Sequence, residues 1–280
     1  MASRDTVIPS LPAPKIAVVE GAFLYWTANT NVPHRPHLVK VYVPLGSPMV
    51  VSLPEHGVRI EFSDPLMVAP DVAQQVHVSG PRFTLYLEPE TAGYRLRRFL
   101  ARLGVPYVPL APGLVAPLLA LRPGQTWGER LLDSLVATRE SLIHAPLWGA
   151  CEGPPAAILD VAARIVTGQA NDREALAAGA GMTARTLTTR FQEVTGLSLR
   201  RYGQWAKLTR AVAAAVLGVP FAETSAIAGF SDQAHFTRST RDLLGSVPSG
   251  IPFGRVLMRG NFYAGLGPRA AEFLPSLGLG

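Results

Sequence analysis

FAETSAIAGFSDQAHFTRSTRDLLGSVP, residues 221–248, decides how this chain is read. It predicts a short helix, a tight turn at Gly229 and a second helix opening at Asp232, the helix-turn-helix arrangement that sets one helix in a DNA major groove. Phe221, Ile227, Ala228, Phe230 and Phe236 can turn inward, while Gln233, Ala234, Thr237 and Arg238 line the opposite side of the second helix. At Gly229 the first helix must stop and the chain reverse, and glycine takes the left-handed conformation there without steric cost. Asp232 can accept a backbone N–H and cap the next helix. A helical hairpin inside a larger core is the plainer alternative for one such match.

A second match lies upstream. Residues 174–196, EALAAGAGMTARTLTTRFQEVTG, again give an Ala-rich helix, a Gly-containing turn and a helix capped by Thr183. Leu176, Met182, Leu187 and Phe191 form the inward set, and Arg185, Thr188, Thr189 and Gln192 the outward one, all able to bond base edges or phosphates. Arg185 is the best candidate for bidentate contact with guanine. Between the two units, SLRRYGQWAKLTRAVAAAVL (198–217) places Leu199, Tyr202, Trp205, Leu208, Val212 and Ala215 at three- and four-residue steps, one linking helix. Its length of roughly 30 Å at about 1.5 Å per residue approaches the roughly 34 Å between successive major grooves.

These residues resemble the DNA-binding domain of the AraC family of bacterial transcription regulators over 156–250. The resemblance rests on Leu176-Ala177, Gly181, Leu187, Phe191, Gly196, Ser198, Tyr202, Lys207-Leu208 with Ala211, then Gly229-Phe230-Ser231-Asp232-Gln233, Phe236, Arg238 and Pro248. It implies base-facing roles for Arg185, Thr188 and Thr189 in the first unit and for Gln233, Ala234 and Arg238 in the second. Thr224 and Thr240 stand where the family has apolar or aromatic side chains, predicting a thinner second core unless the C-terminal tail repacks there. Thr189 stands where many members carry Arg.

Composition fits two cores: 280 residues, 48% hydrophobic. Residues 155–260 hold 12 Lys and Arg against 7 Asp and Glu, whereas residues 1–154 hold 13 against 12. The basic excess therefore lies in the helix-turn-helix half, where it attracts phosphates. Residues 1–14 lack the apolar core of a signal peptide and no run spans a membrane, so the expected location is cytoplasmic, with no membrane partner. The single cysteine, Cys151, permits no internal disulfide; it is an inert thiol near a linker or a redox-sensing one.

The first half alternates short apolar runs with Pro and Gly: 16–27, 38–43, 49–53, 58–62, 66–69, 76–78 and 82–87. That spacing predicts a small sandwich or barrel. The resemblance implies a cupin-like β-barrel that binds a small-molecule effector, with His34, His37, a turn near Gly46 and a run ending LYLEPE as its marks. His34, His37 and His77 raise a cupin metal centre, but the His-x-His and nearby Glu are missing, and rim histidines or an effector pocket are the favoured reading. No metal or cofactor is expected. Trp26 and Tyr42 line a ligand cavity or simply pack.

Residues 90–103 and 126–143 show helical spacing, the second with Trp127, Leu131, Leu135 and Leu142 on one side. That stripe packs back onto the barrel or pairs with the same helix of a second subunit, the homodimer the resemblance implies for many members. Residues 145–155 read as a connector, and the tail, with Phe253, Phe262, Tyr263 and Phe273, as too apolar to be free in water.

The expectation is an α+β two-domain chain: residues 1–150 a cupin-like β-barrel with accessory helices for sensing and dimerisation, 155–255 an all-α domain of two helix-turn-helix units joined by a linking helix, and 256–280 a tail. Its expected role is sequence-specific regulation of transcription, with double-stranded DNA and an effector as partners and RNA polymerase as a further one. The effector-binding residues are not legible. A cupin-class enzyme, or a helix-turn-helix module fused to a DNA-repair activity, are the rivals; no nucleophile–base pair or ligand set supports either.

Overall fold

Short apolar runs punctuated by Gly and Pro become strands. In the computed structural model, which describes residues 16–28, 30–78, 80–121, 127–149, 152–169, 172–251 and 256–259, these are β1 (Ile16–Val19), β2 (Ala22–Thr27), β3 (Val39–Pro44), β4 (Met49–Leu53), β5 (Val58–Phe62), β6 (Leu66–Val68), β7 (Gln75–Val78), β8 (Arg82–Leu87), β9 (Tyr107–Pro109) and β10 (Val256–Arg259). Among the described residues they form one sheet in the order β10-β1-β2-β8-β3-β6-β9 and a second in the order β5-β4-β7. The run 16–27 is two strands because Gly21, at φ +74°, turns the chain. A side chain there would also meet Thr91, whose Oγ1 lies 2.6 Å from the position of a Cβ.

Strand alternation sends the two faces of the larger sheet to different partners. Val39, Val41, Val43, Phe83, Leu85 and Leu87 pack in one core with α1 (Gly93–Leu103), α2 (Ala116–Leu119) and α3 (Gly128–His144). Lys40, Tyr42, Arg82 and Tyr86 are the intervening residues of the same two strands, on the opposite face. Leu131, Leu132, Leu135 and Leu142 of α3 are buried in this first core. Of the two uses open to that stripe, packing onto the barrel is the one observed, and the outer face of α3 presents Glu129, Arg130 and Asp133 to solvent.

The second half is helical: α4 (Ala156–Val166), α5 (Arg173–Gly179), α6 (Ala184–Thr195), α7 (Leu199–Val216), α8 (Phe221–Ala228) and α9 (Gln233–Leu244). Residues of α4, α5 and α6 close one core with Tyr202 and Ala206 of α7. Trp205, Leu208 and Ala211 of the same helix close another with Ala228, Phe230, Phe236 and Leu243. Thr224 and Thr240 are fully buried there, yet their hydroxyls donate to Val219 O at 3.0 Å and Phe236 O at 2.8 Å, so neither leaves an orphaned donor.

One side chain ties both units to the linking helix. Arg210 of α7, 7% exposed, donates to Ile165 O and Val166 O, each at 2.9 Å, and to Ala228 O at 3.3 Å. It thus caps the last turn of α4 in the first unit and of α8 in the second.

A strand from beyond the second unit shows where the start of the apolar tail goes: onto the larger sheet rather than onto the second core. Residues 256–259 pair in parallel with β1, Ile16 opposite Val256 and Val19 opposite Arg259, covering an edge that β1 would otherwise expose. A four-residue run without alternation gives no signal by which to anticipate a partner so distant in sequence. Cys151, Phe253, Phe262, Tyr263 and Phe273 lie outside the described residues.

Replacing Arg210 by Met, which keeps the length and removes the donors, strands buried carbonyls at about 1–3 kcal/mol. The expected outcome is a urea midpoint clearly below wild type, whereas Arg238→Met on the exposed surface stays within about 0.5 kcal/mol.

Candidate nucleic-acid interface

The two helix-turn-helix units start their second helices alike. Thr183 Oγ1 accepts from Thr186 N at 3.1 Å and opens α6, and Asp232 Oδ1 accepts from His235 N at 2.6 Å and opens α9. Gly229, at φ +83°, ends α8 in the left-handed conformation the turn requires. Arg185, Thr189 and Gln192 on α6 are exposed, as are Gln233, Ala234 and Arg238 on α9. Thr188 and Thr237 are half-buried, and their hydroxyls donate to Ala184 O at 2.8 Å and Gln233 O at 2.9 Å. With those protons committed within their own helices, both threonines offer a ligand acceptor oxygens and methyl groups rather than donors.

The C-terminal ends of these helices face the β-rich domain. Arg97 of α1 donates to the carbonyls of Glu193 and Val194 at the end of α6, the second at 2.6 Å. A Cβ on Gly196, just after it, would stand 2.9 Å from Arg97 Cδ. At the end of α9, Arg35 N donates to Asp242 O at 2.9 Å, and a Cβ on Gly245 would stand 2.8 Å from His34 Nδ1. Both reading helices therefore touch the barrel by their tails, which leaves their N-terminal halves, carrying Arg185 and Gln233, away from it.

Between them α7 lies along the barrel. Arg201 Nη1 pairs with Asp71 Oδ2 at 2.8 Å, and the Tyr202 hydroxyl donates to Glu90 Oε1. Trp205 stacks on Phe23 at 5.7 Å between centroids, and Phe23 on Tyr86 at 4.2 Å. Val18, Phe23, Tyr25, Tyr86, Trp205 and Leu208 line an apolar cleft between sheet and helix, with Glu88 at its border. Burial first, then the neighbouring Glu90 and Glu20 carboxyls, raise Glu88 from 4.5 to about 8, and burial raises Glu90 as well.

The histidines singled out in the sequence are engaged separately. His34 Nδ1 donates to Val32 O at 3.0 Å and Nε2 accepts from Lys40 Nζ at 2.9 Å, while burial and then the Lys40 charge lower it to about 2, so the ring is neutral. His37 pairs with Asp71 at 2.7 Å and His77 with Ser52 at 2.7 Å. Trp26 packs edge-on against Trp127, 6.4 Å away, and Tyr42 donates to Gln74 Oε1 at 2.7 Å. Asp71, Glu90, Arg97, Arg201 and Arg210, which hold the two domains and the two units, carry no local motif that would have marked them.

Comparison with known proteins places these elements. Residues 176–251 match the family model of a helix-turn-helix domain, spanning both units and the linking helix. They carry the AraC-type domain that the sequence resembles. No curated protein sequence matches the chain. Among solved structures, ToxT from Vibrio cholerae in a P21 crystal form is similar at a TM-score of 0.51 and 10% identity, covering 82% of this chain and 96% of that one. An apo ToxT variant from Vibrio cholerae strain SCE256 is similar at a TM-score of 0.56 and 8% identity, with the same coverage. ToxT from Vibrio cholerae O395 bound to (E)-4-(8-methylnaphthalen-1-yl)but-3-enoic acid gives 0.52 and 8%, again over 82% and 96%. The likeness is one of fold, a β-rich N-terminal domain joined to a helix-turn-helix domain. No helix among the described residues is long and apolar enough to cross a membrane.

Because Glu88 holds its proton above the ordinary 4.5, the stability tied to that proton is complete below 4.5 and is lost as pH rises through about 8. The urea midpoint should fall over that range, and Glu88→Gln should flatten the fall; an equal slope in both proteins would show that Glu88 does not couple. Tyr202→Phe removes the donor to the buried Glu90 carboxyl, with an expected loss of about 1–3 kcal/mol in the same assay.

Proposed function

We propose that this chain is a sequence-specific DNA-binding regulator of transcription, controlled by a small molecule held in its N-terminal domain, and not an enzyme. The observation that carries the reading is the pair of capped reading helices, exposed along Arg185, Thr189, Gln192, Gln233, Ala234 and Arg238 and joined by one helix of 18 residues. That helix is about 27 Å long at 1.5 Å per residue, a span suited to successive major grooves roughly 34 Å apart. Arg185 and Arg238 are assigned to base edges, Gln192 and Gln233 to base or phosphate. Ala234 supplies apolar contact, and Thr188, Thr189 and Thr237 complete the two surfaces.

The apolar cleft between the sheet and α7 supports an apolar effector that touches both domains. Solved ToxT structures are bound to an unsaturated fatty acid and to a naphthalenyl butenoic acid, and ligands of that character suit this lining. Such a ligand changes DNA affinity only by the difference between its affinities for the two domain arrangements. A homodimer through α3 would join its polar outer face, since the apolar stripe is spent inside the chain; RNA polymerase enters as the partner of an activator.

The test is selection of sites from a randomised duplex pool by the full chain, followed by footprinting. Arg238→Ala should weaken the selected site about 5–150-fold, the 1–3 kcal/mol of a good base contact, and leave unrelated duplex little changed. Equal losses on both would reduce Arg238 to a phosphate contact, and failure to enrich any sequence would sink the regulator reading.

A further inference from the structure

The linking helix has a second face, which the barrel meets only at its edge, where Gln204 also lines a cavity with Pro33, His34 and His37. Arg201, Tyr202, Trp205 and Leu208 point toward the β-rich domain. Arg200, Gly203, Gln204 and Lys207, at steps of three, four and seven, are rotated from them by roughly 140° at 100° per residue. These four form the floor of a groove between the two helix-turn-helix units, with Arg173 of α5 on one wall and Phe230 and His235 on the other. Among the described residues, no Asp or Glu lines it.

Its cations are placed for an external anion. Arg173 is shared with the exposed Glu174 at 2.8 Å. Arg200 is exposed, and among the described residues neither it nor Lys207 makes an ion pair. Lys207 Nζ stands 6.0 Å from the centroid of the Phe230 ring, so Lys207 reaches the turn that opens α9. The floor faces away from the barrel, and so do the N-terminal halves of α6 and α9, whose tails are held by Arg97 and Arg35. A duplex reaching from one reading helix to the other would then cross the groove that lies between the two units.

We infer that Arg200 and Lys207 clamp the phosphate backbone of the DNA segment between the two major grooves, so that the linking helix is itself part of the interface. This rests on the proposed DNA-binding role. The contact is sequence-independent: it adds affinity and fixes how far the duplex must bend or lie flat between the units, while base choice stays with α6 and α9.

The test is fluorescence anisotropy of the full chain, titrated with salt, on a selected site and on an unrelated duplex of equal length. With Arg200→Ala and Lys207→Ala combined, two phosphate contacts disappear and the slope of log affinity against log salt should shrink by about 1.8 on both duplexes, leaving their affinity ratio unchanged. The charge-conserving pair Arg200→Lys and Lys207→Arg should restore the slope, which separates lost contact from lost folding. A slope unaltered in the double alanine variant, while Arg238→Ala still erodes preference for the selected site, overturns this inference and leaves the regulator standing. A wild-type chain without preference for any sequence overturns the regulator reading first.

Discussion

One buried guanidinium joins the two reading units to each other. Helices end in carbonyls without intrahelical partners, and two such ends, those of α4 and α8, come from different units of the domain. Arg210 gathers both from the middle of α7. An apolar side chain could fill the same space, but it would leave those carbonyls without donors, and the two flanking cores, each packed on α7, share no residue among the described ones. Only a planar group with several fixed donors reaches both ends at once. The separation of α6 and α9 is thereby a property of the fold rather than of the DNA that selects it.

The same device recurs where the domains meet. Arg97 caps α6 from α1, and the backbone of Arg35 closes on α9; in each case the barrel satisfies the end of a reading helix. The contacts nearer the middle differ in kind. Tyr202 and Glu90 form a buried polar pair, and Trp205, Phe23 and Tyr86 a run of stacked rings beside an apolar cleft. Polar caps thus stand at the two ends of the contact, with a softer apolar one between them.

Much of this was legible in the residues. Strands 49–53, 58–62 and 82–87 appear with the limits read from their spacing, since Pro, Gly and Asp residues bracket them. Thr183 and Asp232 cap the helices they were expected to open, because capping is a local interaction between residues three apart. What was not legible is everything that joins distant segments. Arg97 and Arg201 look like ordinary solvated charges on amphipathic helices, and Glu90 like the first residue of one, until the tertiary fold brings carbonyls and a tyrosine to them. Thr224 and Thr240 read as gaps in a core, whereas their hydroxyls donate to backbone carbonyls five and four residues back. The stripe on α3 was equally suited to a second subunit, and its packing against the sheet and against α1 and α2 decides its use.

The parallel pairing of β10 with β1 gives the molecule a second covalent crossing. The chain leaves the β-rich domain once near residue 150 and returns to it after Ile251, so the helical domain is a loop inserted between strands of one sheet. A body attached at two points cannot swing freely as one on a single tether does. A second attachment therefore restricts the domain arrangements open to the molecule.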